Sequence, residues 1–253
     1  MAYTVSLANQ KGGVGKTTSA VNCAACVGAL GKRVLLVDLD PQGNSTSGVG
    51  IPRKSVKVSA YDLMIGRATA KEAIVRTKFE NLSVIPSHIS LTGAEFELID
   101  AEKRELLLKQ ALSEVDAEFD YIFIDCPPSL GILSINALTA SSGVIIPMQC
   151  EFYALEGLSQ LILTIRQVKK LYNPRLEITG ILITMFNGRL NLSMQVLDEL
   201  KKYYADKLFK TGVVRNVKLS EAPSYGEPIL YYDKHSKGAQ AYMDIAREII
   251  DRT

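Results

Sequence analysis

No apolar run in the 253 residues approaches the ~18–20 that a membrane-spanning helix requires. Cysteine is sparse at four, which excludes a disulfide framework at this length. Glycine and proline together number 27, an ordinary usage that leaves out collagen-like and low-complexity classes. An excess of one charge sign is missing as well: 29 Lys+Arg stand against 27 Asp+Glu, a net +2 that by itself points to no polyanionic partner. The opening Met1-Ala-Tyr-Thr-Val-Ser-Leu-Ala8 has no basic flank and reads as a strand, not as a signal peptide. The two histidines, His88 and His235, are far apart, sit beside serines without a Ser/His/Asp pattern, and read as loop residues. What remains is a chain that is 47% hydrophobic and long enough to bury a sizeable core, the profile of a soluble cytosolic α/β protein.

Hydrophobic runs alternate with helical patterns from end to end. Tyr3–Ala8, Arg33–Leu39, Leu82–Pro86, Tyr121–Asp125, Gly143–Pro147, Ile178–Met185 and Thr211–Val214 read as strands, several of them continuously apolar as in a buried parallel sheet. Helical stretches fall near Thr17–Leu30, Tyr61–Ile65, Leu91–Ile99, Lys103–Val115, Ile132–Ala140, Ala154–Tyr172, Leu192–Tyr204 and Gly238–Asp251. This alternation predicts an α/β, three-layer fold: a mostly parallel sheet of seven or eight strands with helices on both faces. No repeat or linker interrupts it, so one domain over 1–253 is expected. Asn44–Val58, polar, basic and turn-rich, is expected to be a surface loop.

The first strand runs into Gln10-Lys-Gly-Gly-Val-Gly-Lys-Thr-Thr18 and a helix follows. Gly-Lys-Thr at 15–17 ends a Walker A loop, in which Gly12, Gly13, Val14, Gly15 and Thr18 help wrap backbone N–H groups around phosphates. Lys16 reaches the β/γ-phosphates and the Thr17 hydroxyl ligates Mg²⁺. The general pattern wants Gly at position 10, where Gln10 stands, followed by a second lysine, Lys11. From spacing alone Lys11 is either a solvated surface lysine or a charge aimed at a second phosphate group.

Val34-Leu-Leu-Val-Asp-Leu-Asp40 is an apolar strand ending in two carboxylates at the crevice end of the sheet. Asp40 could orient the attacking water or touch the metal, and Asp38 could support the metal or the phosphate loop. Tyr121-Ile-Phe-Ile-Asp125-Cys-Pro-Pro128 is a Walker B strand whose Asp125 would hold Mg²⁺ through water, since this ion dehydrates reluctantly. Cys23 and Cys26 form a Cys-x-x-Cys but lie one turn apart on the apolar face of the phosphate-loop helix, which reads as packing. Charge is unevenly spread: residues 1–150 carry −1, residues 151–253 carry +3, and Arg166–Lys218 holds 11 basic against 4 acidic side chains, +7. Gathered on one face, that segment would track phosphates with salt-sensitive, sequence-independent DNA affinity; dispersed, it is solvated helix surface.

Lys11-Gly-Gly-Val-Gly-Lys-Thr-Thr18 resembles the deviant Walker A motif of the ParA/MinD class of P-loop ATPases, and Asp-x-Asp-Pro-Gln-Gly, Asp-Cys-Pro-Pro-Ser-Leu-Gly and Pro147-Met-Gln-Cys-Glu-Phe-Tyr-Ala-Leu-Glu-Gly157 extend the resemblance along essentially the whole chain. It is strongest towards the short chromosomal ParA, Soj-like proteins. The resemblance implies an ATP-sandwich homodimer in which Lys11 reaches the partner's phosphates, as an arginine finger does. It further implies a hydrolytic role for Asp40 and an approach of Glu151 to the partner's ribose. Arg215-Asn-Val-Lys-Leu-Ser-Glu-Ala-Pro-Ser224 resembles the family's adenine-side loop, with Val214 where the family usually has proline; Arg215 and Asn216 are candidate base contacts, and Met185 and Asn187 are either further base contacts or a core methionine and a turn asparagine.

For DNA, Arg189 and Lys218 match basic positions used in the class, and Lys201 and Lys202 join them in the basic segment. The implied function is a weak, partner- and DNA-stimulated ATPase that binds ATP and Mg²⁺, coats nonspecific double-stranded DNA as a dimer on the nucleoid, and is released when a ParB-type centromere-binding protein triggers hydrolysis. The phosphate loop begins after ten residues, so no N-terminal helix-turn-helix module is expected. Two other readings stay in view, a MinD-like division-site ATPase and a nucleotide-gated regulator of replication or transcription. The first would need a basic amphipathic C-terminal helix, whereas Ala239–Thr253 has three acids against two arginines and reads as a core-covering helix with no stable membrane association. An iron–sulfur reductase is disfavoured by the context of Cys126 and Cys150.

Overall fold

The computed structural model describes residues 1–253. Strands β1 (Tyr3–Leu7), β2 (Val34–Asp38), β3 (Val75–Arg76), β4 (Leu82–Ile85), β5 (Tyr121–Asp125), β6 (Gly143–Met148) and β7 (Glu177–Ile183) form one sheet in the order β3-β4-β2-β5-β1-β6-β7. Every pairing is parallel except β3 with β4 at the edge. The chain winds from β1 outward to β2 and later crosses β1 to reach β6, so the strand order reverses direction at β1. The crevice beyond the carboxyl ends of β1, β2 and β5 is therefore where a ligand sits in such a sheet.

The helices are α1 (Lys16–Ala29), α2 (Asn44–Gly48), α3 (Ala60–Met64), α4 (Ala70–Ala73), α5 (Leu91–Glu97), α6 (Leu107–Ser113), α7 (Ile132–Ala140), α8 (Ala154–Leu171), α9 (Asn191–Tyr204), α10 (Val217–Glu221), α11 (Ile229–Tyr232) and α12 (Lys237–Arg252). The two-residue period of the strands divides the apolar side chains between two cores. Val34, Leu36, Tyr121 and Phe123 face α1 and α12, while Leu35, Val37, Ile122 and Ile124 face the layer containing α3 and α5 to α9. Continuous apolar strands and helices on both faces are thus one fact seen twice, and the three-layer α/β expectation holds.

Two expectations need correction. Thr211–Val214 is not a strand: it makes one isolated bridge, Phe186 with Val214, too little pairing to propagate a ladder. The seventh strand is instead β3, two residues long and too short to show a period. Asn44–Val58 is not simply a surface loop, because α2 begins it and Ser45 and Thr46 are fully buried. Their hydroxyls are spent on carboxylates, which is why a polar stretch can lie inside. The C-terminal helix reads as expected, with Ala239, Tyr242, Ile245, Ala246 and Ile249 buried in the core shared with α1.

Candidate nucleotide site

The loop between β1 and α1 turns through left-handed backbone at Gly13 and Gly15 (φ 73° and 85°), conformations that glycine adopts without a Cβ penalty. Gly15 caps α1, whose first turn contains no acid, so the positive end of the helix dipole faces the loop unopposed. Thr184 Oγ1 donates to the Val14 carbonyl at 2.7 Å and Gln149 Nε2 to the Gly13 carbonyl at 2.8 Å, fixing the loop from β6 and β7. The loop walls a cavity of about 290 Å³ with Gly12, Gly13, Gly15, Lys16, Thr17, Thr18, Asp40, Asn44, Pro128 and Met185. Lys16 is buried and donates to the Lys11 carbonyl at 3.1 Å. Burial holds its ammonium below the usual lysine range, opposed by the charges of Asp125, Cys126 and Asp40.

Asp38 and Asp125 are register partners on β2 and β5, both fully buried and both on the α1 face of the sheet. Asp38 Oδ2 accepts from the Thr46 amide and hydroxyl, each at 2.7 Å, and its Oδ1 accepts from the Asp40 amide at 3.2 Å. Both oxygens are therefore committed to holding the β2 turn and α2, a support role and not a metal contact. Asp125 Oδ2 accepts from Ser45 Oγ at 2.7 Å, whereas its Oδ1 is buried with no partner. A buried carboxylate oxygen left open beside Lys16 and Thr17 fits a hydrated magnesium ion. Burial, with mutual repulsion, pushes the Asp38 carboxyl up; burial likewise raises Asp125, against the Ser45 and Thr17 hydroxyls. Asp40 lines the phosphate cavity and its Oδ1 accepts from the Gln42 amide at 2.9 Å, an Asx turn that sets the carboxylate at the cavity wall.

A second, smaller cavity of about 120 Å³ adjoins the loop and is walled by Thr18, Met185, Val214, Arg215, Asn216 and Tyr242 among others. Three of the four base-side residues expected from sequence meet here. Asn187 does not; it lines a larger cavity of about 820 Å³ on the other side of Met185, and its Oδ1 accepts from the Arg189 amide at 3.1 Å. Met185 itself holds left-handed backbone (φ 49°) and lines both spaces. Tyr242 was not legible as a site residue: its hydroxyl pairs with Ser19 Oγ at 3.0 Å, tying α12 to α1 under the base pocket. The amphipathic pattern of α12 marks it only as core.

Lys11 and Glu151 form an ion pair within the chain, both side chains about half exposed. Of the basic residues expected to meet DNA, Lys201 pairs with Asp198 at 3.7 Å, Lys202 with Glu199 at 2.8 Å and Lys218 with Glu221 at 2.8 Å. Arg189 is exposed and has no acidic partner. All four cysteines are buried and free, and burial pushes the Cys26 and Cys126 thiols up to about 12, so they are packing residues and not nucleophiles. His88 Nδ1 pairs with Ser90 Oγ at 2.9 Å in a turn before α5, a local contact only. No helix is long and apolar enough to cross a membrane.

The geometry can be set beside known proteins. The family described as an AAA domain matches residues 2–178. The chain is 55% identical over 249 residues to the sporulation initiation inhibitor protein Soj of Bacillus subtilis, covering 98% of each. It is 48% identical over 248 residues to the chromosome partitioning protein ParA of Myxococcus xanthus, covering 98% of this chain and 88% of that one. Among solved structures, cobyrinic acid a,c-diamide synthase of Mycobacterium smegmatis, with bound ATP analogue and magnesium, superposes with a TM-score of 0.85 at 38% identity over 98% of this chain and 93% of that one.

Proposed function

The chain belongs to the Soj/ParA family of chromosome-partitioning ATPases, and from that premise we propose that it is a DNA-binding ATPase whose dimerisation is driven by ATP and whose hydrolysis is triggered by a ParB-type partner. One observation carries the chemistry: Lys16, Thr17 and Asp40 line one phosphate-sized cavity, with the open oxygen of Asp125 buried beside Lys16. The reaction is transfer of the γ-phosphoryl group of ATP to water, giving ADP and phosphate. Backbone amides of Gly12 to Thr18 cradle the phosphates, and Lys16 places its charge on the β/γ oxygens. Thr17 and, through water, Asp125 hold Mg²⁺, which neutralises developing phosphate charge when bound. Asp40 orients the attacking water. Met185, Arg215 and Asn216 receive the base.

Lys11 precedes Gly12, which lines this cavity; a second subunit's phosphates complete its role, and Glu151 reaches the partner's ribose. Completion of the site only in the dimer accounts for weak turnover by the lone chain and couples assembly to nucleotide state by differential binding. The nucleotide, dimer and DNA functions share the single domain, and the protein acts on the nucleoid with no stable membrane association, since the apolar face of α12 is already occupied.

The test is salt-titrated DNA binding with ADP, ATP and a non-hydrolysable ATP analogue. Tight, salt-sensitive binding is expected with ATP and the analogue and weak binding with ADP. Equal affinity in all three states would end the reading.

A further inference from the structure

We propose that Gln10 is a positioning residue for the reaction: it ties the entrance of the phosphate loop to α8 and thereby aims Lys11 at the partner subunit's phosphates. The inference rests on the sandwich-dimer reading above and adds to it the device that holds the crossing lysine. Gln10 stands where the general Walker pattern has glycine, and no part of the nucleotide chemistry uses it. Its Nε2 donates to Gln160 Oε1 at 2.9 Å and, at a longer 3.4 Å, to the Gly157 carbonyl, both on α8. A glycine at this position could make neither bond. The two departures from the general pattern, Gln10 and Lys11, are then one device: the second supplies a charge and the first fixes where it starts.

The backbone of Lys11 is fixed on its other sides as well. Its amide donates to Asn9 Oδ1 at 3.0 Å, and the buried Asn9 donates in turn from Nδ2 to the Pro147 carbonyl of β6 at 2.8 Å. Its carbonyl accepts from Lys16 Nζ at 3.1 Å. Amide and carbonyl are both committed, which leaves the side chain, ion-paired with Glu151, as the part of Lys11 that can turn outward.

Glu151 itself lies just before α8, the helix to which Gln10 is tied. The two residues that the dimer reading sends across therefore start from two elements joined by the Gln10 side chain. Neither acceptor of that side chain is sent across, so opening the Lys11–Glu151 pair leaves the tie in place. Placement outweighs contact energy here. One hydrogen bond between half-buried and exposed amides adds little to stability, whereas misplacing a reacting group by about 1 Å costs on the order of 10²-fold in rate.

The test uses Gln10→Ala in the full chain. Its ATP affinity should stay within about twofold of the parent, because Lys16, Thr17 and the loop amides are untouched. Hydrolysis of bound ATP, followed over the first turnover at saturating protein, should slow by about tenfold. Mixing with an excess of Asp40→Ala separates positioning from damage to the loop. In a mixed dimer the ATP of the Gln10→Ala subunit keeps its own Asp40 and receives Lys11 from an Asp40→Ala subunit whose Gln10 is intact. Hydrolysis per Gln10→Ala subunit should then recover to within about twofold of the parent, whereas a loop damaged within its own subunit would stay slow. Gln160→Ala, exposed on α8, should slow hydrolysis in the same direction and recover in the same mixture. Parent rates in either variant alone, or no recovery in the mixtures, would overturn the inference. A parent protein whose hydrolysis per subunit does not rise with protein concentration would overturn the sandwich-dimer reading itself, a result distinct from these.

Discussion

Lys11 and Glu151 are ion-paired within one subunit, although both are residues that a sandwich dimer would send across to its partner. The pair joins the loop after β1 to the segment before α8. With both side chains about half exposed, such a pair contributes ~0–1 kcal/mol, so releasing Lys11 to a partner's phosphates costs little. So weak a contact does not lock the lysine in place.

Glu151→Gln should therefore leave thermal stability almost unchanged, within about 1 kcal/mol by chemical denaturation. Lys11→Ala should bind ATP like the parent in calorimetry yet remain monomeric in light scattering with ATP. Lys16→Ala, which removes the buried cation of the loop, should abolish nucleotide binding. If Lys11→Ala lost ATP affinity as Lys16→Ala does, Lys11 would be an intrasubunit ligand and the dimer role would fall.

The open oxygen of Asp125 makes a second expectation. A fully buried carboxylate with one unpartnered oxygen, beside Asp38 on the neighbouring strand, destabilises the protein when no cation is bound. Asp125→Asn removes that charge and should raise the midpoint of thermal unfolding without nucleotide by roughly 2–4 °C for each kcal/mol recovered. The same variant should lose the extra stabilisation that magnesium adds to ADP, since binding to the native state alone is what raises the midpoint. Differential scanning fluorimetry with ADP, with and without magnesium, separates the two effects. Retention of the magnesium increment by Asp125→Asn would remove Asp125 from the metal site.

Much of the site is legible in the sequence. The Walker loop, Asp40 and Asp125 announce themselves because phosphate and metal chemistry demands particular residue types at the ends of apolar strands, and the strand period then fixes which face they share. What sequence could not show was satisfaction at a distance. Ser45 and Thr46 follow a glycine in a polar run and look like loop; only the fold brings them 80 residues from Asp125 and eight from Asp38 into the same buried network. Tyr242 is hidden for the same reason, since a core tyrosine and a pocket-lining tyrosine have one pattern on a helix. The +7 of the segment does not say where its charge lies: Lys201, Lys202 and Lys218 each pair with an acid three residues away, an arrangement that only the folded helices show.

Thr46 tests the buried network directly. Its hydroxyl donates to Asp38 Oδ2 at 2.7 Å and accepts from the Ser87 amide at 2.9 Å, so Thr46→Val strands one charged acceptor site and one backbone donor. The expected cost is about 3 kcal/mol, with Thr46→Ser largely sparing it. Ser55→Ala, in the same polar stretch but bonded only to the exposed Pro52 carbonyl, should cost under about 0.5 kcal/mol. Urea denaturation of the three variants decides it; equal small effects would mean that the stretch is surface loop after all.

Asp40 separates an ATPase cycle from a simple nucleotide-gated switch. Its carboxylate lines the phosphate cavity but makes only one hydrogen bond, to the Gln42 amide, so Asp40→Ala loses a turn contact worth about 1 kcal/mol and leaves Lys16, Thr17 and the loop amides in place. ATP affinity should persist while phosphate release falls by about 10²–10⁴-fold, the usual contribution of a group that positions and deprotonates the attacking nucleophile. The ATP-bound variant should then stay on DNA and fail to be released when the partner protein is added. A regulator that works by occupancy alone would keep its function in that trapped state, because nothing in its action requires the γ-phosphate to leave. Continued release from DNA at the parent rate, with hydrolysis abolished, would detach DNA dissociation from the chemistry at Asp40.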